Sequence, residues 1–504
     1  MYQRDPLCQR ILGELAHRDV LSRAVDDGTG ADRIRTALRY TGLVGTILLA
    51  YASVVAKNAG LAEPAWLAGT GLLLIAWLVL GRRLADVPAR WLFVTATLWA
   101  LPMLASAPLA SRDIYSYACQ GTLVSHGIDP YSHGVADLPC PWLSTVPKVW
   151  QHTPSPYGPL WLVLTGGAAA TGRLALAIAV LRIFALAGMV LVAWAGHRLA
   201  GKLGTDPVRG AWLGVLAPVV LVHALSGAHN DALLAGLVVT AFALAAGAIG
   251  PISDGARVLA WRAVAAGVLI GLAVAVKITA LVALPFVVLL LAADRRWGPI
   301  IRAGVLTCLG LIATYAALWA TTGYGFGWVR ALPNTTRSIV EWTSIPTGAG
   351  MGLAHALRRL GQAELAHHTV SYARAAGLGA LALIVLGLWL WARGRATPRA
   401  VVLAGGLALL VTVLLSPVAF PWYALAALAV LGYGIVEDRW RYGLGLLTAP
   451  VMLLILPNGN GLASFTRTSG ALFDLLVILA AVLVAAYRTR RWLSRKSRTR
   501  AQSA

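Results

Sequence analysis

Thirty nearly unbroken apolar residues, 263–292, carry one charge, Lys277, at their middle, and no other stretch constrains the fold of this chain more. As a single helix they would measure roughly 45 Å against a hydrocarbon core of about 30 Å, so they read as two short spans hinged at Lys277. An ammonium in such a run costs on the order of 3 kcal/mol even on lenient insertion scales. Further apolar runs lie near 40–56, 64–81, 90–108, 174–196, 210–226, 231–249, 302–321, 371–392, 400–416, 422–436, 442–456 and 470–487. Together they predict an all-α polytopic membrane protein with about fourteen spans.

Composition enters as a check on that pattern. Of 504 residues, 58% are hydrophobic and only 12% charged, which excludes a soluble enzyme on one anchor. In a soluble protein a net charge of +22 would suggest nucleic acid. Here the Lys and Arg sit in short clusters between apolar runs, such as Arg33, Arg35 and Arg39, Arg82, Arg83 and Arg90, or Arg393, Arg395 and Arg399. That is the signature of cytoplasmic loops and of contact with anionic membrane lipid, so no nucleic-acid partner is expected. A cytoplasmic segment 1–39 and a basic cytoplasmic tail 491–504 are expected to flank a transmembrane domain over 40–490. Leu160–Thr171 is short, Gly-rich and opened by prolines, which suits a helix lying in the interface rather than a span. With this parity, two polar loops, 109–173 and 322–370, fall on the outer side.

Few acids lie outside under this topology: Glu63, Asp113, Asp129, Asp137, Asp231, Glu341, Glu364 and Asp474. Asp113 follows a span by a few residues and precedes Tyr115 and Tyr117 on an expected juxtamembrane helix, a position suited to a general base. The competing reading is helix capping by Ser111 or Asp113. Asp129-Pro130-Tyr131 is a turn signature, in which the Asp orders the turn. His229-Asn230-Asp231 either lines a cleft or closes an outer hairpin. Lys277 and Arg182 are cations near the lipid boundary, suited to a lipid-linked phosphate, although Lys277 could also snorkel to the headgroups. His126, His133 and His152 lack the close spacing of a metal site, so neither metal nor cofactor is expected. Cys119 and Cys140 share the outer loop and can bridge, whereas Cys8 is expected in the cytoplasm and Cys308 in the membrane.

The stretches SRDIYSY (111–117), DPY (129–131), PSPYGP (154–159), GAHND (227–231), AVKITALVALPF (275–286), GFGW (325–328), EWTSIPTG (341–348) and SPVAFPWY (416–423) occur in one order over nearly the whole chain. In this the chain resembles the actinobacterial polyprenol-phosphate-mannose-dependent α-(1→6)-mannosyltransferases, membrane glycosyltransferases of the GT-C class. The resemblance implies a GT-C-type fold with juxtamembrane helices in the first large outer loop. It also implies mannose transfer from polyprenyl-phosphate-mannose to the 6-hydroxyl of a mannan or lipomannan acceptor, at the extracytoplasmic face of the plasma membrane. Asp113 maps onto the catalytic base. The expected substrate contacts are Arg112, Tyr115, Tyr157, Arg182, His229, Asn230, Asp231, Lys277, Arg337, Glu341, Trp342, Trp422 and Tyr423. Rival readings are a lipid-phosphate arabinosyltransferase or other hexosyltransferase of the same class, and a lipid-linked sugar flippase. A flippase would more naturally show inverted repeats and polar residues at the midplane.

Overall fold

The computed structural model describes residues 6–138, 140–247, 256–292, 294–395 and 397–502, with side chains at the two ends described from Gly30 to Arg491. Cys8 and the tail beyond Arg491 lie outside the described side chains. Among the described residues the chain is helical, and its only β pairing is an isolated bridge between Ile455 and Gly461.

By length and composition, eight helices can cross a membrane: Gly30–Val54, Ala59–Gly81, Leu174–Leu203, Arg257–Val276, Trp297–Thr322, Ala363–Arg393, Pro398–Leu415 and Arg467–Arg491. A ninth is formed if Pro207–Gly214 and Pro218–Ser226, bent by 51°, count as one span. Other apolar runs fold into shorter helices: Ala89–Ala105, Pro159–Ala169, Asp231–Ala246, Ile278–Leu291 and Pro421–Gly434. The expected span at 442–456 is not one helix. Asp438–Thr448 stops before Pro450, which has no amide hydrogen to continue the ladder, and a 3-10 turn, Pro450–Leu453, follows. The second polar loop is itself helical, with Gly327–Ser338 and Ile345–Arg359 preceding the next long helix.

The helices that lead to the first polar loop are α1 (Pro6–Val54), α2 (Ala59–Gly81), α3 (Ala89–Ala105) and α4 (Asp113–Ser125). The expected helix after Asp113 is therefore present. Cys119 on α4 is disulfide-bonded to Cys140, with Cα atoms 5.6 Å apart, so the loop beyond α4 is tied back onto it. Asp129 orders its turn as expected, accepting from the Tyr131 amide (3.0 Å) and the Ser132 hydroxyl (2.7 Å).

Four breaks in helical structure meet at one place. The run 263–292 breaks at Lys277, whose backbone is extended (φ −157°, ψ 135°) between Ala256–Val276 and the 3-10 turn Ile278–Ala283. The segment after Pro218 winds into a π-helical turn, Leu221–Ser226, and then passes through Ala228 at φ +46° before Asp231–Ala246 begins. The chain between α3 and α4 turns through Ala110 at φ +57°. A left-handed conformation at a residue with a Cβ costs roughly 1–2 kcal/mol, so the surroundings must hold it in place.

Those surroundings are hydrogen bonds between the breaks themselves. Ser226 Oγ accepts from the Leu109 amide (3.0 Å). The Arg182 guanidinium donates to Leu104 O (2.8 Å) and Ser226 O (3.1 Å). Non-helical backbone at membrane depth is tolerated only where protein supplies its missing partners, and Arg182 does so for two segments at once.

The fourth break is the Pro-rich turn ahead of Pro159–Ala169. The Gly158 amide donates to Val276 O (3.2 Å), one residue before Lys277. A Cβ on Gly158 would stand 2.4 Å from Ala275 O and 2.7 Å from Ala275 Cα, so only glycine allows this approach. Gly158→Ala is expected to force the two backbones apart and cost about 1–3 kcal/mol, as overpacking does. A lowered midpoint of thermal unfolding in detergent would register it, whereas Gly167→Ala, with nothing within 4 Å of the added carbon, should leave the midpoint unchanged.

Candidate active site

Against the segment between α3 and α4, a cavity of 460 Å³ opens. Its walls come from Ala110–Asp113, Pro147–Trp150, Ser338–Glu341, Phe420–Trp422 and the 454–467 segment. Asp113 is the first residue of α4, yet its carboxylate does not cap the helix. Ser111 takes that part, its Oγ accepting from the Asp113 amide (3.1 Å). The carboxylate is thus left for other work. Oδ1 accepts from Trp150 Nε1 (3.0 Å), and Oδ2 lies 3.8 Å from His229 Nδ1.

Asp113 is 8% exposed, and burial raises its pKa to about 6. The Trp150 N–H and the positive charge of Lys277 pull it back down, while the negative charge of Asp231 pushes it up. A carboxyl poised there is ionised at neutral pH yet basic enough to accept a proton in a transition state. Across the cavity Glu341 is also raised by burial, opposed by the charge of Arg467.

Of the expected substrate contacts, Arg112, Glu341 and Trp422 line the cavity with Asp113. A second group forms a buried layer behind it. His229 stacks on Trp422 with centroids 3.7 Å apart, and the Tyr117 hydroxyl lies 3.4 Å from His229 Nδ1. Tyr157 packs edge-on against Tyr117 at 5.3 Å. Lys277 and Asp231 pair bidentately (2.9 and 3.0 Å), and the ammonium sits 3.4 Å over the ring of Tyr423. The Asn230 side chain is buried with neither its oxygen nor its nitrogen bonded to protein.

Lys277 therefore does not snorkel: it is 8% exposed, and its ammonium is directed at Asp231. Arg182 is spent on the two carbonyls described above. Arg337 is exposed, and Trp342 donates to Thr466 Oγ1 (3.1 Å); neither lines the cavity. Tyr115 lines a separate cleft on the far side of Arg112. Among the described residues no group of three His, Cys, Asp or Glu side chains could hold a metal ion.

Two residues that matter here are absent from the reading of the sequence. Trp150 is one of 19 tryptophans, and nothing local distinguishes it from those that only pack. Arg467 opens the last apolar run and has the look of a topology charge, but folds over to face Glu341.

Two variants probe this arrangement. Trp150→Phe removes a hydrogen bond to the ionised carboxylate, so the Asp113 pKa should rise. Any reaction that needs Asp113 ionised falls off below about pH 6 in the parent, and the acid limb of the pH–rate profile should move to higher pH in the variant. Lys277→Met strands the Asp231 carboxylate without its partner and is expected to cost about 3–5 kcal/mol of stability. In thermal unfolding, much of that loss should return in the double variant Lys277→Met, Asp231→Leu.

Comparison with known proteins places the chain in a family. Residues 43–293 match the family described as Alpha-(1->6)-mannopyranosyltransferase, N-terminal domain, and residues 346–490 match the MptB C-terminal domain. The chain is 34% identical over 409 residues to alpha-(1->6)-mannopyranosyltransferase A of Mycobacterium tuberculosis, covering 78% of this chain and 75% of that protein. It is 31% identical over 421 residues to alpha-(1->6)-mannopyranosyltransferase B of Corynebacterium glutamicum, covering 79% and 69%. A crystal structure of ArnT from Cupriavidus metallidurans aligns with a TM-score of 0.43 at 18% identity over 79% of this chain and 72% of that one, too distant a likeness to bear on mechanism. On the family match and the identity to these relatives, the chain belongs to the alpha-(1→6)-mannopyranosyltransferase family.

Proposed function

We propose that this protein is an inverting membrane mannosyltransferase. It moves mannose from polyprenyl-phosphate-mannose to the 6-hydroxyl of an α-(1→6)-mannan acceptor, at the outer face of the plasma membrane, in the synthesis of lipomannan-type glycans. The fold would be of GT-C type with about fourteen crossings, the short apolar helices being tilted or broken ones. Family membership supports the reaction class. The observation that carries the reading of the site is the uncapped, buried Asp113 carboxylate on the wall of the cavity, with its pKa raised to about 6.

In this reaction the acceptor oxygen attacks the anomeric carbon of the β-linked donor. The bond from that carbon to the phosphate oxygen breaks, and its electron pair leaves with the lipid phosphate. Asp113 takes the hydroxyl proton as the new bond forms. At pH 7 a carboxyl of that pKa then returns the proton to water. A phosphate is a good leaving group without protonation, so one carboxylate suffices where glycosidases use two. Arg112 on the cavity wall is the cation suited to the charge developing on the phosphate. Trp150 on the cavity wall offers an aromatic surface of the kind that packs on sugar rings. Lys277, with Asp231, acts on Asp113 from behind as a fixed charge pair.

Asp113→Asn keeps the side-chain volume and the oxygen that Trp150 needs. It also removes a buried group whose ionised form burial disfavours, so thermal stability at pH 7 should be equal to the parent's or higher. Turnover should fall by about a hundredfold or more. The assay is purified protein with polyprenyl-phosphate-mannose and a short α-(1→6)-mannoside, followed by linkage analysis, with a polyprenyl-phosphate-arabinose arm for the rival donor. Turnover near that of the parent would remove Asp113 from the mechanism, and transfer from the arabinose donor alone would replace the sugar assignment.

A further inference from the structure

A second and larger cleft, of 740 Å³, lies against the reaction cavity and shares one residue with it, Arg112. Its walls are the turn between α1 and α2 (Ser53–Asn58 and Leu61), the segment before α4 (Ala107 and Pro108), Tyr115, Thr145, and Pro457 with Asn458. Alternation of α1, α2 and α3 across the membrane puts the ends of α1 and α3 on one side. The cleft and Asp113 therefore lie at the same membrane boundary.

The chemistry of the cleft is two-faced. Val54, Val55, Leu61, Ala107, Pro108 and Pro457 make its walls apolar. Lys57 has no acidic partner among the described residues, and Arg112 donates to the protein only at Ser144 O (3.3 Å). Two cations with spare donors over an apolar trough are complementary to an anionic head on a hydrocarbon tail. The trough also opens sideways. Tyr40, Val44, Ile47, Tyr51 and Val54 follow one another at helical spacing along α1 and are 46–68% exposed, so an apolar strip runs from the bilayer into the mouth. The reaction cavity differs: beyond Asp113 its lip carries Ser338, Glu341, Thr343, Ser464 and Arg467, a polar border suited to hydroxyls.

We propose that this cleft seats the phosphate and first isoprene units of the donor lipid. Lys57 and Arg112 hold the phosphate, Arg112 marks the junction at which the sugar passes to Asp113, and the polar lip of the reaction cavity is left to the acceptor. This rests on the lipid-linked donor of the proposed function, but the binding step can be measured without turnover. Lys57 is exposed on a turn, so its replacement leaves the core untouched.

The test uses the full chain in nanodiscs, with decaprenyl phosphate as the probe and decaprenol, inorganic phosphate and phosphatidylglycerol as comparisons. Lys57→Gln should weaken decaprenyl phosphate binding by about tenfold or more, and Lys57→Arg should restore most of it. Decaprenol should bind poorly to all three proteins, and neither inorganic phosphate nor phosphatidylglycerol should compete. In the transfer assay Lys57→Gln should raise the donor KM by a similar factor, with the acceptor KM changed by no more than about twofold. Unaltered binding in Lys57→Gln overturns the proposal. Equal competition by phosphatidylglycerol reduces the cleft to a general anionic-lipid site, and a raised acceptor KM assigns it to the acceptor's anchor; either result also overturns it. Lys57-dependent binding in a protein that transfers no mannose would instead sink the proposed reaction and leave the cleft standing.

Discussion

One ion pair joins two of the helix breaks around the candidate site. Lys277 stands at the break in an over-long apolar run, and Asp231 opens the helix after a π-helical turn. An ammonium and a carboxylate out of water are each expensive, and they are tolerable only together and with good geometry. Their bidentate contact fixes both helix breaks in register and presents Tyr423, His229 and Trp422 as a packed layer.

That layer gives Asp113 its surroundings. A lone cation behind the carboxylate would hold its pKa low and make it a weak base, and a lone acid would push it towards permanent protonation. A neutral pair does neither, so burial dominates and Trp150 trims the result. The helix breaks and the chemistry thus share one cause. In lipid, irregular backbone survives only inside protein, and a packed pocket at the membrane edge is also where a carboxylate can be tuned. Arg182 belongs to the same economy of partners, because its guanidinium donates to two backbone carbonyls.

Much of this was legible before any coordinates. Length and polarity of the apolar runs settle the membrane class, since only helices can bury that much backbone in hydrocarbon. The thirty residues around Lys277 cannot be one span, and the structure breaks them there. Two cysteines in one polar loop suggest the bridge that forms. These readings depend on local facts: how many residues cross a fixed thickness, which charge interrupts them, and which short-range turn an Asp can order.

Tertiary structure decided the rest, because the deciding distances join residues far apart in sequence. Asp113 and Trp150 are separated by 37 residues, Asp231 and Lys277 by 46, and Arg182 and Leu104 by 78. No periodicity records which of many tryptophans will reach a carboxylate, or that a lysine suited to a phosphate will spend its charge on an aspartate. The 442–456 run went wrong for a local reason: its apolar character meets the demand for a span, but Pro450 removes the amide that a continuous helix requires. The sequence by itself determined that the chain is a helical membrane protein and that the run around Lys277 must break. Which broken ends face one another, and hence which polar groups are paired and which remain free for chemistry, is a property of packing between helices that only the folded chain possesses.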